Sequence, residues 1–226
     1  MKTAVMEMSA ASGLPLLLPD ELNPWITSTY GTGEMISDAL NRGCRKFLVG
    51  IGGSATNDAG TGMLSALGVR FLDSRGQRLK GCGRDLESIA RIDMSSLMPA
   101  ARESEFIVAC DVNTPFCGPD GAARVFAPQK GADPQTTEAL DRGMHSFAGV
   151  IAGQFQTDIV PLSGAGAAGG LGGAFKAFLN ARLTAGIEMV LDAIAFDSLL
   201  EGASLVITGE GRIDAQTAAG KTAAGA

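Results

Sequence analysis

The sequence has few aromatic residues, a single histidine and no run of lysine or arginine. Aromatic residues make up 5 % of the chain and the formal net charge is -6, so the basic face that nucleic-acid binding normally needs is missing. The cysteines, Cys44, Cys82, Cys110 and Cys117, include no CxxC pair, and with one histidine a zinc site is not expected. Reduced thiols of this kind indicate a cytoplasmic protein.

The sequence also has no apolar run approaching the roughly 20 residues that a transmembrane helix needs, so we expect no membrane span. Its first segment, 1–8, is apolar enough to suggest a secretory signal at first sight. Glu7 and Ser9 interrupt that segment, and Pro15 and Pro19 follow it, which argues against a signal peptide.

Apolar residues, by contrast, make up 46 % of the chain, and the 31 glycines occur in clusters. Short apolar runs near 46–51, 105–111 and 204–208 each end in glycine or an acidic residue and are predicted to be buried strands. Helical patterns lie between them, which predicts an α/β fold with a parallel sheet. Ligands bind beyond the carboxyl ends of such strands, so the segments that follow the three runs are predicted to share one rim.

The first of these runs opens into a Gly52-Gly53 turn and a polar loop, and a helical pattern follows. Bare backbone N–H groups at such a turn, together with the positive end of a helix, favour an anionic ligand. The polar side chains that could contribute are those of Ser54, Thr56, Asn57 and Asp58. A P-loop is excluded because its Lys-Ser/Thr pair is missing. The alternative is a tight turn in which Asn57 or Asp58 only caps the helix.

The segment Gly209-Glu-Gly-Arg-Ile-Asp214, which follows the third run, combines a glycine turn with charged side chains. Arg212 could stabilise a phosphoryl group, and Glu210 or Asp214 could bind Mg²⁺ or act as a base. A surface turn with a local salt bridge is the alternative for this segment.

Another glycine cluster, Gly164-Ala-Gly-Ala-Ala-Gly169, matches the GxGxxG spacing of dinucleotide-binding loops. That function needs a strand before the loop and an acidic residue closing a second strand about 20 residues later. Pro161 weakens the preceding strand, and Glu188 begins a helical pattern. A glycine-rich hinge or packing loop is therefore favoured.

Two further predictions concern one helix and rest on short segments of sequence. Asp133 followed by Pro134 predicts an N-cap and first helical position, and the apolar face expected behind them consists of Leu140, Met144, Phe147 and Ile151. His145 falls among the polar positions of this helix and is expected to be an exposed surface residue rather than a catalytic one.

The run Gly50-Ile-Gly-Gly-Ser-Ala-Thr-Asn-Asp-Ala-Gly60, with Ala66-Leu-Gly-Val-Arg-Phe71 behind it, closely resembles the type I glycerate kinases. Other segments agree with that resemblance, among them Glu7-Met-Ser-Ala-Ala-Ser-Gly-Leu14, Tyr30-Gly-Thr-Gly-Glu34, Phe126-Ala-Pro-Gln-Lys-Gly131, Gly164-Ala-Gly-Ala-Ala-Gly-Gly170 and Ile207-Thr-Gly-Glu-Gly-Arg-Ile-Asp214. The resemblance extends from about residue 4 to residue 221.

This resemblance implies ATP-dependent phosphorylation of D-glycerate with Mg²⁺, and 2-phosphoglycerate is the expected product. It implies two α/β domains, one flavodoxin- or Rossmann-like and one inserted within it, with the site in the cleft between them. The residues that would do the chemistry are Asp58, Asp111 and Asp214 as base or, for the last two, Mg²⁺ ligands, and Arg212 and Lys221 as cations. The Gly52-Gly53 turn and the loop from Ser54 to Asn57 would hold a phosphate or the glycerate carboxylate.

The sequence also departs from the family it resembles. Family members carry upstream Asp-Ser-Phe-Lys and Ala-Asp-Gly-Gly-Glu-Gly-Thr segments, and they continue past the Gly-Lys segment that here leads to Thr-Ala-Ala-Gly-Ala226. The chain thus looks like the central part of such an enzyme. A short, inactive relative with a ligand- or partner-binding role and a nucleotide-dependent oxidoreductase stay open as alternatives, as does assembly into a homo-oligomer.

Overall fold

A computed structural model of the chain describes residues 1–207, which form an α/β fold around a four-stranded sheet. The sheet order is β1-β2-β5-β6, and each neighbouring pair is parallel. Its strands are β1 (Lys2–Glu7), β2 (Cys44–Gly50), β5 (Glu105–Ala109) and β6 (Arg182–Thr184). An antiparallel pair, β3 (Arg70–Leu72) and β4 (Arg91–Asp93), forms a second sheet. The predicted α/β fold with a parallel sheet is confirmed.

Helices separate most of the strands. They are α1 (Ser9–Ser12), α2 (Tyr30–Asn41), α3 (Thr61–Ala66), α4 (Pro99–Arg102), α5 (Ala122–Phe126), α6 (Pro134–Phe155), α7 (Ala167–Leu179), α8 (Gly186–Ala193) and α9 (Phe196–Leu200). Short 3₁₀ helices lie at Leu14–Leu16, Gly83–Ser88 and Pro128–Lys130. Within residues 1–207, no helix is both long enough and apolar enough to cross a membrane.

Strand β2 buries Phe47 and Val49 on either side of the half-buried Leu48, whereas β5 buries Phe106, Ile107 and Val108 in succession, as a strand covered on both faces does. Phe47 of β2 and Phe106 of β5 are paired in register, and their rings stack with centroids 4.7 Å apart. Phe175 of α7 packs against Phe106 at a centroid distance of 5.9 Å. The sheet and α7 thereby share one apolar core.

Helix α6 forms as its local signals predict. The Asp133 side chain accepts a hydrogen bond from the Thr136 N–H at 2.7 Å, and Pro134 occupies the first helical position. The predicted apolar face is fully buried and consists of Leu140, Met144, Phe147 and Ile151. Both predictions are confirmed.

The third predicted strand, near 204–208, is wrong over the residues that the structure describes. Residues 204–207 are not in a strand, and Leu205 and Ile207 are 76 % and 88 % exposed. On the side away from β2, strand β5 pairs with β6. Ile107 pairs with Arg182, and Ala109 pairs with Thr184. Residue 208 lies outside the described residues. The division into two domains stays a prediction.

Candidate functional site

A cavity of about 230 Å³ lies at the carboxyl ends of β2 and β5. Because the two strands are parallel neighbours, the segments that follow them meet at one edge of the sheet. The wall includes four of the residues singled out from the sequence, which are Gly52, Gly53, Ser54 and Asp111. The other predicted site residues at the C-terminal end, Glu210, Arg212, Asp214 and Lys221, lie outside the described residues.

The glycine turn in the cavity wall is held from behind by the segment that follows α1. Leu14 N–H donates to the Gly53 carbonyl, and Ala55 N–H donates to the Ser12 carbonyl, both at 2.9 Å. The N–H groups of Gly52, Gly53 and Ser54 themselves donate to no acceptor within residues 1–207. Unpaired backbone donors beside a cavity are what an anion-binding turn requires.

Asp58 lies away from the cavity wall, with none of its surface exposed. Its carboxylate accepts hydrogen bonds from the Thr29 N–H at 2.7 Å and the Thr29 hydroxyl at 2.8 Å. It also accepts from the N–H groups of Gly60, at 3.1 Å, and Gly62, at 3.2 Å. The carboxylate therefore joins the start of α2 to the start of α3, and this position does not fit the catalytic role expected from the sequence.

Burial sets the protonation behaviour of Asp58. Removal from water raises the pKa of the carboxyl above its ordinary value, against the hydrogen bonds from Thr29, Gly60 and Gly62 that lower it. All of its hydrogen-bond partners, including the Ser28 hydroxyl at 3.3 Å, are donors, so the carboxylate acts here as an acceptor.

A helix follows the polar loop, as the sequence predicts, but its first N–H groups do not point to a ligand. Helix α3 starts at Thr61, and the Gly60 and Gly62 N–H groups at its start donate to Asp58. The positive end of this helix is thus satisfied within the chain and is not presented to a ligand. The expected helix contribution to anion binding is wrong, and the loop amides alone remain.

Thr56 and Asn57 are also buried behind the cavity wall, with 1 % and 0 % of their surfaces exposed. The Asn57 amide donates to the Met144 sulfur at 3.3 Å. The Thr56 hydroxyl and the Asn57 carbonyl oxygen have no partner among the described residues. Neither side chain reaches the cavity, so the direct ligand contacts expected of them are not seen.

Lys130 lines the same cavity, although no role is expected of it from the sequence. It ends the turn Pro128–Lys130, is 1 % exposed, and donates from Nζ to the Ser54 hydroxyl at 2.8 Å and to the Thr56 carbonyl at 2.6 Å. Burial lowers the pKa of this ammonium to about 7, against the charge of Asp58, which raises it. The only sequence signal was its place in the segment Phe126–Gly131 that carries the family resemblance.

Asp111 is exposed and also lines the cavity. Its Oδ1 accepts a hydrogen bond from the Gly186 N–H, at the first residue of α8, at 2.8 Å. Within residues 1–207 no group of three or more His, Cys, Asp or Glu side chains could hold a metal. Mg²⁺ in kinases is commonly bound by one or two carboxylates together with substrate phosphates, and Asp111 fits as one such ligand.

The GxGxxG loop contacts the polar loop of the site rather than forming a dinucleotide fold. No strand precedes it at 158–162, and the Gly169 carbonyl accepts a hydrogen bond from Ala59 N–H at 2.9 Å. This agrees with the packing function favoured from the sequence. His145 is exposed, as expected, with Nδ1 3.3 Å from the Cys117 sulfur.

The fold and the cavity define an α/β protein of the class that binds small ligands beyond the carboxyl ends of a parallel sheet. The sequence profile of the glycerate kinase family matches residues 1–226. The chain belongs to this family, as the resemblance predicted.

Named relatives agree with that assignment. The chain is 49 % identical over 224 residues to the glycerate kinase of Halalkalibacterium halodurans and 45 % identical over 224 residues to the glycerate 2-kinase of Escherichia coli K12. A crystal structure from Salmonella typhimurium LT2, of a protein whose proposed name is glycerate kinase 2, superposes with a TM-score of 0.91 at 47 % identity and covers 97 % of this chain. In each comparison the chain spans 59 % of the length of the relative.

Proposed function

We propose that the chain carries the acceptor-binding part of a glycerate kinase, which transfers the γ-phosphoryl group of ATP to D-glycerate and forms 2-phosphoglycerate. The observation that supports this most directly is the cavity in which unpaired amides of the glycine turn, buried Lys130 and exposed Asp111 converge. Donors and a cation suit a carboxylate or phosphate, and an exposed carboxylate suits a base or a metal ligand.

The size of the cavity supports a small acceptor. Its volume, about 230 Å³, is below the roughly 300–1,000 Å³ of pockets that enclose drug-sized ligands. A three-carbon acid or a single phosphoryl group suits this space better than a whole nucleotide does. The ATP-binding residues are therefore expected elsewhere, and Arg212, Asp214 and Lys221 stay candidates for contacts with the transferring phosphate.

In this proposal Asp111 is the group that acts on the substrate hydroxyl or binds Mg²⁺. Mg²⁺ would supply charge neutralisation for the phosphates. The hydrogen bond from Gly186 to Oδ1 keeps the carboxylate oriented, and Oδ2 makes no hydrogen bond within residues 1–207. The free cysteines support the cytoplasmic location that we propose with this function.

The test is to incubate the chain with ATP, Mg²⁺ and D-glycerate and to follow the product by ³¹P NMR, which separates 2- from 3-phosphoglycerate. Asp111→Asn is expected to lower turnover by about 10²-fold or more, the usual contribution of a general base. Asp120→Asn, in an exposed position of the loop that follows, is the matched control and should leave turnover unchanged. Full turnover in Asp111→Asn would contradict the assigned role.

The same experiment separates catalysis from binding. If the chain binds D-glycerate but forms no product, while the Halalkalibacterium halodurans relative forms it, the chain is a ligand-binding part and not a kinase by itself. If the chain neither binds nor phosphorylates D-glycerate, the proposed function is wrong.

A further inference from the structure

Lys130 is a buried cation that no acidic side chain of residues 1–207 contacts. Its side chain is 1 % exposed, and its two hydrogen-bond partners, the Ser54 hydroxyl and the Thr56 carbonyl, are both neutral. No salt bridge within residues 1–207 includes Lys130. Burying an ammonium without a counter-ion costs free energy. Such a group either loses its proton or is stabilised by a bound anion.

An anion can reach Lys130 from the cavity that this side chain lines. Asp58 acts on it from behind the loop, and Asp111 and Cys110 lie in the same cavity wall. The remaining side chains that line the cavity carry no charge. An ammonium has three N–H donors, and two of them have acceptors among the described residues.

Ser54 extends the influence of Lys130 toward the ligand. Its Oγ accepts from Lys130 at 2.8 Å, which leaves the Ser54 hydroxyl hydrogen available as a donor. Ser54 also lines the cavity beside the unpaired amides of Gly52 and Gly53. The cation, the hydroxyl and the amides thus form one donor set facing one small space.

We propose that Lys130 is the counter-ion of the anionic group bound in this cavity and that it takes up one proton from solvent as the anion binds. The inference rests on the proposed function in that it deepens the account of the same site, and it applies to a carboxylate as well as to a phosphate. In the absence of an anion the amine is largely uncharged above neutral pH, because burial lowers its pKa to about 7. A bound anion stabilises the ammonium and raises that pKa again.

The coupling between anion binding and protonation of Lys130 determines how binding changes with pH. At a pH below the pKa that Lys130 has in the free protein, its amine is already charged, and binding of the anion takes up no proton. Between the free and the bound pKa, each pH unit is expected to weaken anion binding about tenfold, because one proton must be bound with the anion. Sulfate and D-glycerate are suitable probes, since neither changes its own charge across this range.

The decisive measurement is calorimetric titration of the chain with sulfate at pH 8 in two buffers of different ionisation enthalpy. The wild-type chain is expected to take up close to ~1 proton per sulfate bound. Lys130→Arg, whose guanidinium stays charged, should bind sulfate without proton uptake and without the tenfold pH dependence. Lys176→Arg, at an exposed position of α7, is the matched control and should behave as wild type.

A second readout needs no substitution. In the wild-type chain labelled with ¹³C-lysine, the Cε resonance of Lys130 should titrate near the pKa of about 7, and this pKa should rise by at least ~2 units when sulfate saturates the site. The inference is overturned if sulfate binds without proton uptake, if uptake persists in Lys130→Arg, or if sulfate does not bind at all. If sulfate binding takes up a proton but D-glycerate is neither bound nor phosphorylated, the inference stands and the proposed function fails.

Discussion

Replacing Asp58 should destabilise the protein rather than remove a catalytic group. The carboxylate accepts five hydrogen bonds with no exposure to water, and three of the donors are the backbone N–H groups of Thr29, Gly60 and Gly62. The other two donors are the hydroxyls of Ser28 and Thr29, and the Thr29 hydroxyl in turn accepts from the Met63 N–H at 2.9 Å. One side chain therefore satisfies the backbone at the start of two helices.

The expected cost follows from the donors left unpaired. Asp58→Ala leaves three buried N–H groups without an acceptor, and each orphaned group costs about 1–3 kcal/mol. Release of the carboxyl from its unfavourable burial offsets part of this, so we expect a loss of about 3–5 kcal/mol. Asp58→Asn keeps one oxygen but places an NH₂ group against the Gly60 N–H, and a loss of about 1–3 kcal/mol is expected.

Urea unfolding followed by tryptophan fluorescence measures these losses. Trp25 is the single tryptophan and lies four residues before Thr29, so it reports on the segment that Asp58 holds. Asp120→Asn, an exposed change of the same chemistry, should stay within about 0.5 kcal/mol of wild type. Binding of D-glycerate by folded Asp58→Asn at low temperature should be retained. An Asp58→Asn protein as stable as wild type but devoid of activity would refute this reasoning and restore Asp58 as a catalytic group.

Two further predictions concern pH and packing. Because burial lowers the folded pKa of Lys130 to about 7 from 10.5, the unfolded chain binds more protons above neutral pH, and stability should rise with pH. Between pH 7 and pH 9 the gain from this residue is about 2 kcal/mol, and urea unfolding of Lys130→Met should lack that gain. A Cβ at Gly33 of α2 would lie 2.3 Å from the Met63 carbonyl oxygen, so Gly33→Ala should cost about 1–3 kcal/mol. A Cβ at Gly149 of α6 meets nothing within 4 Å, so Gly149→Ala should gain about 0.5–1 kcal/mol, and equal gains in both variants would contradict the packing account.

Features with local causes could be predicted from the sequence. Helix α6 begins at Asp133 and Pro134, and its buried face follows from the helical spacing of apolar residues. Strands β2 and β5 are short apolar runs bounded by glycine and acid, and their parallel pairing brought Gly52, Gly53 and Asp111 to one cavity. In these cases the signal lies within a few residues of the structure that it predicts.

Features that depend on distant partners could not be predicted in this way. The run Leu205-Val-Ile207 has strand-like composition, yet the edge of β5 is paired with the less apolar Arg182–Thr184. Lys130 sits in a Pro-Gln-Lys-Gly turn that predicts exposure, and it is buried because Ser54 and Thr56, 76 and 74 residues away, supply its acceptors. The sequence pattern around a residue does not show which distant residues it will contact.

Gly169, in the glycine cluster at 164–173, holds the site loop without lining the cavity. Gly169 has a φ of 68°, and a Cβ there would lie 2.2 Å from the Thr56 carbonyl oxygen, so only glycine allows this approach. The same carbonyl accepts from Lys130 at 2.6 Å, and Ala59 N–H donates to the Gly169 carbonyl. The GxGxxG spacing therefore serves close contact with the chain's own backbone, where a dinucleotide loop would admit a phosphate. Together with Asp58 at its far end, this contact sets the path of the loop from which the glycine-turn amides and Ser54 reach the ligand.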